Sequence, residues 1–172
     1  MTELEVLLEN WDRFRSVTLQ FLDVLRDDDL NWRPEPDAFS CGQQLLHIAQ
    51  TEAYCFRGLF GGEWDRGVLK FPEAIPSVAE LRRYFTEVRG TTSQRLESLT
   101  DADLATLHSV PNASADYPLR WWLWTVLEHE IHHKAQLAVY LRQMGKVAPY
   151  FANPLPLGER PDIQIRDEHG GV

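Results

Sequence analysis

Residues 119–144 read Leu-Arg-Trp-Trp-Leu-Trp-Thr-Val-Leu-Glu-His-Glu-Ile-His-His-Lys-Ala-Gln-Leu-Ala-Val-Tyr-Leu-Arg-Gln-Met. No glycine or proline interrupts this stretch, while Pro118 precedes it and Gly145 follows. Proline suits the start of a helix and glycine its end, so the punctuation predicts one helix over about 119–144. Trp122, Val126, His129, His133, Gln136 and Tyr140 fall on one face at the helical period. A helix of that length with an amphipathic pattern needs partners, and the chain upstream supplies them.

Three further stretches carry apolar residues at spacings of three and four. The first, from about Glu3 to Arg26, has Leu4, Leu7, Leu8, Trp11, Phe14, Thr18, Phe21, Leu22 and Leu25. The second, from about Cys41 to Phe60, has Leu45, Ile48, Ala49, Glu52, Phe56 and Leu59, and Gly61-Gly62 stops it. The third begins after Ser77 and carries Leu81, Tyr84, Phe85, Val88, Leu96 and Leu99, with Gly90 and Thr91-Thr92-Ser93 weakening its middle. Each opens on a capping-box pair: Thr2 with Glu5, Ser40 with Gln43, and Ser77 with Glu80. With no convincing strand between them, the pattern is all-α: one antiparallel four-helix bundle over about residues 3–146. The irregular, proline-rich tail 147–172 is expected to pack on its surface, within a single domain spanning 1–172.

A connection from Glu63 to Pro76 is long for a compact domain, and such loops often serve a function. It brings Trp64 and Phe71; these two, with Tyr150 and Phe151, are candidates for walls of a site or for caps on the bundle ends.

The formal charge of −9, with no basic run, excludes a nucleic-acid binder of the ordinary kind, whose affinity comes from Lys and Arg on phosphates. No apolar run reaches the roughly 20 residues of a membrane span, and no secretory leader is evident, so a cytoplasmic location is expected. Cys41 and Cys55 fall on one predicted helix about 21 Å apart at 1.5 Å per residue, too far for a disulfide. Cys41 opens its helix, where the dipole lowers a thiol pKa; a nucleophilic role and an incidental buried thiol are both open.

The chemistry lies in the histidines. His129 and His133, four apart, project from nearly one direction on a helix, the spacing by which two imidazoles share one metal. His129 with His132, three apart, is the alternative, with His132 otherwise an entrance group. A firm divalent site needs a third ligand, and His47, in the middle of the second helix, is the best candidate. The string also satisfies H-E-x-x-H, which in a zinc protease makes the glutamate a base. Glu130 points about 100° away from His129, and Gln136 and Val139 stand where the extended motif needs glycine and histidine. Glu52 is expected to point away from His47, and Glu128 or a backbone carbonyl is a candidate acceptor for the second N–H of His129 or its neighbours.

Leu45-Leu46-His47-Ile48-Ala49-Gln50-Thr51-Glu52 and Val126 to Leu137, with the acidic turn before Trp32-Arg33-Pro34, resemble the DinB and YfiT-like metal-binding four-helix bundles over about Leu4 to Pro149. The resemblance implies a divalent metal on His47, His129 and His133. Zinc or nickel suits imidazole, as do iron, cobalt and copper. It further implies a homodimer and a small-molecule partner. Some such proteins transfer a low-molecular-weight thiol to an electrophile, so a metal-dependent thiol S-transferase is one expectation. A non-catalytic metal-binding stress protein and a metal-dependent hydrolase are the alternatives. Catalytic residues are not assigned.

Overall fold

The computed structural model describes residues 2–149. Four helices form: α1 (Glu3–Val24), α2 (Cys41–Gly61), α3 (Val78–Glu97) and α4 (Leu119–Gln143). All three capping boxes are made, each Thr or Ser side chain accepting from the backbone N–H three residues on while the Glu or Gln reaches back. Gly62 and Gly145 close α2 and α4 at φ of 73° and 72°, the left-handed region that a side chain disfavours. Gly90 and the threonines after it do not interrupt α3, because Val88, Thr92 and Leu96 bury one of its faces. The loop from Thr100 to Pro118 holds a two-residue antiparallel pairing, Leu107–His108 with Tyr117–Pro118, which the sequence pattern does not foretell. Residues 150–172, where most of the proline-rich tail and the aromatics Tyr150 and Phe151 fall, lie outside the described residues.

The helices form a ring in which α2 packs on α4 and α3, and α1 packs on the same two. Contacts at the ends fix their directions. The Leu4 N–H donates to Asp101 just beyond α3, and Glu3 pairs with Arg120 at the start of α4. At the opposite end the Val78 N–H donates to Asp27, the Gly42 N–H to Leu30 O, and Lys146 pairs with Asp29. So α1 and α4 run one way, α2 and α3 the other. Antiparallel contacts are those of α2 with α4 and of α1 with α3. Because α2 and α3 are parallel, the chain must travel the bundle's length between them, about 30 Å for a 20-residue helix. That accounts for the long connection of residues 62–77, tied down midway by the Gln50 side-chain amide donating to Lys70 O at 2.9 Å.

The apolar core comes in two parts. Leu7, Trp11, Phe56, Leu96, Leu123 and Leu127 fill one end; Phe21, Leu45, Ile48, Phe85, Leu137 and Leu141 fill the other. Between them every helix contributes charged or hydroxyl groups to one buried layer. Arg15 and Thr18 come from α1, Glu52 from α2, Arg89 and Thr92 from α3, Glu130 and Lys134 from α4. The Arg15 guanidinium donates to Glu52 and Glu130; Arg89 donates to the same two at 2.9 and 3.0 Å. The Thr18 hydroxyl donates to Glu130 and the Thr92 hydroxyl to Glu52. Burial alone would raise the Glu130 pKa, but Arg15, Arg89 and Lys134 pull it down to about 2. Burial lowers Arg89 to about 10 and Lys134 to about 8, while the two carboxylates carry Arg15 above its ordinary value. Such a layer fixes the axial register of all four helices, since sliding any one would strand a buried charge.

Candidate metal centre

Because α2 and α4 are antiparallel neighbours and the polar layer fixes their register, His47 faces the turn of α4 that carries His129 and His133. The His129 Nε2 lies 3.2 Å from the His47 Nε2 and 3.0 Å from the His133 Nε2. One ring nitrogen from each of the three falls within 4.8 Å of the others. Ion-to-nitrogen bonds of about 2.05 Å in tetrahedral array would separate their nitrogens by about 3.3 Å. The observed spacing therefore matches three imidazoles around one ion. His132 does not join them; it is exposed on the neighbouring face.

The hydrogen bonds around the triad decide which nitrogen each ring can offer. The His133 Nδ1 faces two amide oxygens, Gln44 Oε1 and, at 3.0 Å, Gln136 Oε1. An amide oxygen only accepts, so the neutral ring carries its proton on Nδ1 and turns a free lone pair at Nε2 toward the centre. Gln136 in turn donates from Nε2 to the His132 Nε2 at 3.1 Å, and Gln44 from its Nε2 to the Tyr140 hydroxyl at 3.4 Å. These two glutamines orient the His133 ring, the part that an outer hydrogen-bond partner plays at metal sites. The sequence does not identify them. Glu128, the acceptor it suggests, is exposed, and nothing among the described residues joins it to His129.

Burial and mutual repulsion keep all three rings neutral. Burial first, then the other histidines, brings His129 down to about 3 and His133 to about 4; burial lowers His47 as well. Neutral imidazole is the ligating form, so no proton must be displaced near pH 7. These shifts also predict how the metal-free fold responds to acid. Unfolded histidines take up protons from about pH 6.5 downward, whereas the folded rings resist until about pH 4 to 3. The unfolded chain then holds more protons, so stability is lost as pH falls through that window. Urea midpoints of metal-free protein should fall between pH 6.5 and 4, and His129→Gln should fall less over the same range. Parallel pH curves for the two proteins would contradict the assignment.

Phe39 and Phe71 wall the His47 side, with ring centroids 5.5 and 6.3 Å from that imidazole and 5.0 Å from each other. Phe71 is thus the loop aromatic that reaches the site. Trp64 instead meets Tyr54 edge-on and covers Gly58, whose added Cβ would stand 2.2 Å from the indole. Glu130 and Glu52 are turned into the polar layer, away from the imidazoles, so neither is placed as a base. Cys41 is fully buried and burial pushes its thiol up to about 12, which removes the activated-nucleophile reading.

The model of the DinB superfamily matches residues 10–137 of this chain. The uncharacterized protein YjoA of Bacillus subtilis is 26% identical over 147 residues, covering 84% of this chain and 93% of YjoA. A dinb-like protein from Bacillus cereus, solved by crystallography, superposes with a TM-score of 0.72 at 26% identity, over 85% of this chain and 95% of its own. YfiT from Bacillus subtilis superposes with a TM-score of 0.69 at 16% identity, over 85% and 91% of the two chains. It is described as a probable metal-dependent hydrolase with an unusual four-helix bundle topology.

Proposed function

This chain belongs to the DinB superfamily, and on that footing we propose that His47, His129 and His133 hold one divalent metal ion that serves catalysis on a small molecule. The observation that carries the reading is the convergence of three Nε2 atoms with the His133 proton turned outward to Gln44 and Gln136. Zinc or nickel is the first choice for an all-imidazole set; iron, cobalt and copper fit the same donors. A divalent ion held there supplies Lewis acidity toward an oxygen or sulfur nucleophile.

The chain's own groups set what can approach. Phe39 and Phe71 close the His47 side with apolar surface. The exposed His132 stands beside the triad, its ring 5.0 Å from that of His133 and its Nε2 accepting from Gln136. A substrate at the centre meets the Thr51 hydroxyl, which lies 3.5 Å from the His129 Nε2. Water is the nucleophile we assign, giving hydrolysis of an ester or amide; the description of YfiT supports this class.

A small thiol is the second reading. Three neutral imidazoles leave the charge of a divalent ion uncompensated, which favours an anionic sulfur partner. We also propose that the chain acts as a single domain, as a homodimer, and in the cytoplasm. Trp121 and Val139, exposed on α4, suit a second copy, and no described helix is long and apolar enough to cross a membrane.

Zinc- and nickel-loaded protein should be assayed against ester and amide panels, with and without small thiols and model electrophiles. Hydrolysis without added thiol, reduced at least about 100-fold by His133→Ala and by chelation, is the expected result. Turnover only with thiol present would select the second reading. Tight metal binding with no turnover in either assay would leave a metal-binding protein that is not an enzyme.

A further inference from the structure

A second concavity lies between α2 and α3, apart from the three histidines. It encloses about 720 Å³, inside the range of small-molecule sites. Its floor is apolar, made by Ala53, Phe56, Phe60 and Val88, and small side chains at Thr91 and Ser98 leave it open. None of the three imidazoles lines it.

The charges around it are unusual for this chain. Two guanidiniums, Arg57 and Arg95, stand at the groove in a protein of net charge −9. Arg95 lies over the Phe60 ring at 4.8 Å, and among the described residues neither arginine has a carboxylate partner. The acid that lines the groove, Glu87, sits 3.8 Å from Arg83 instead. An apolar floor with two guanidiniums at its rim, neither paired with a carboxylate among the described residues, complements an organic anion that has an apolar body. Arginine favours a planar carboxylate, which its fork can grip with two parallel hydrogen bonds.

We propose that this groove binds a small monocarboxylate with an aromatic or short acyl body. The body lies on Phe56, Phe60 and Val88, and the carboxylate is held by Arg57 and Arg95. The site is independent of the metal centre: it uses the opposite flank of α2, which faces α3 rather than α4.

The test uses the full chain with 2-naphthoate as probe and the uncharged 2-naphthalenemethanol as control, by calorimetry and by amide chemical-shift mapping. The acid should bind about tenfold more tightly than the alcohol, the effect of one charge-assisted contact. The double variant Arg57→Gln/Arg95→Gln should erase that difference; both positions are exposed on their helices, so the fold should persist. Shifts should centre on Ala53, Val88 and Thr91 and survive EDTA. Equal affinity for acid and alcohol, an unchanged double variant, or binding that disappears with EDTA would each overturn the proposal. The last of these would place the carboxylate at a bound metal instead, whereas groove binding that survives EDTA leaves the reading of the histidines untouched.

Discussion

Replacing Glu130 by alanine is expected to destabilise the fold by about 3–5 kcal/mol, the usual cost of breaking a buried ion pair from one side. Glu130 is 1% exposed and accepts from Thr18, Arg15 and Arg89, with the Lys134 ammonium 4.0 Å away. Without it, three buried cations would face the single carboxylate of Glu52. The cavity left by the side chain adds to the loss. Glu130→Gln keeps the volume and still removes the charge, so it too should fall well below the wild type. By contrast, Glu87→Ala breaks only a solvent-exposed pair with Arg83, where about 0–1 kcal/mol is usual. Urea unfolding at neutral pH and fixed ionic strength measures all three. A Glu130→Ala loss no larger than that of Glu87→Ala would mean that the layer is hydrated rather than closed. The low pKa has its own consequence. The contribution of Glu130 is full above the unfolded carboxylate value near 4.3 and is lost as pH falls through about 2.

His129→Ala is expected to weaken divalent-metal affinity by more than about 100-fold, beyond the 10- to 100-fold typical of losing an outer hydrogen-bond partner. His129 stands between the other two rings, 3.2 and 3.0 Å from their Nε2 atoms, so its removal leaves two donors that no longer enclose an ion. Gln44→Ala should fall within the 10- to 100-fold range, because the Gln136 oxygen still holds the His133 Nδ1 proton. His132→Ala should leave affinity nearly unchanged, since its ring is directed to Gln136 and the rim. Competition titration against a chromophoric chelator ranks the variants. A greater loss of affinity in His132→Ala than in His133→Ala would restore the three-apart pairing of His129 with His132 that the sequence leaves open.

The four helices were legible because their signals are local. A capping box, a period of three and four, and a terminal glycine each act within a few residues, and the boundaries agree to within about two positions. The histidines were legible for a related reason, since helical spacing fixes which side chains share a face. The helix directions were not. Whether a connection makes a tight turn or travels the length of the bundle depends on which helices pack together, and the 62–77 segment carries little local signal of either.

The polar layer was half visible. Arg15, Glu52, Arg89 and Glu130 occupy positions where the apolar period continues on either side, as in Trp11, Arg15, Thr18, Leu22. At the level of sequence only Thr18 and Glu52 fall among the periodic positions, and Glu130, about 100° from His129, falls off the histidine face, so no buried network is evident there. Only the fold shows that the four stand at one level. Of the glutamines that orient His133, Gln136 shows only that it shares the histidine face and Gln44 shows nothing, because an amide at a helical position looks the same whether it faces water or an imidazole.

Metal content of the untagged protein, by elemental analysis after gel filtration, decides whether the three histidines hold an ion. Close to one transition-metal ion per chain is expected in the wild type, and little or none in His47→Ala and His129→Ala proteins that remain folded. A wild type that stays metal-free after incubation with zinc and nickel, or variants that retain the same ion at the same ratio, would contradict it.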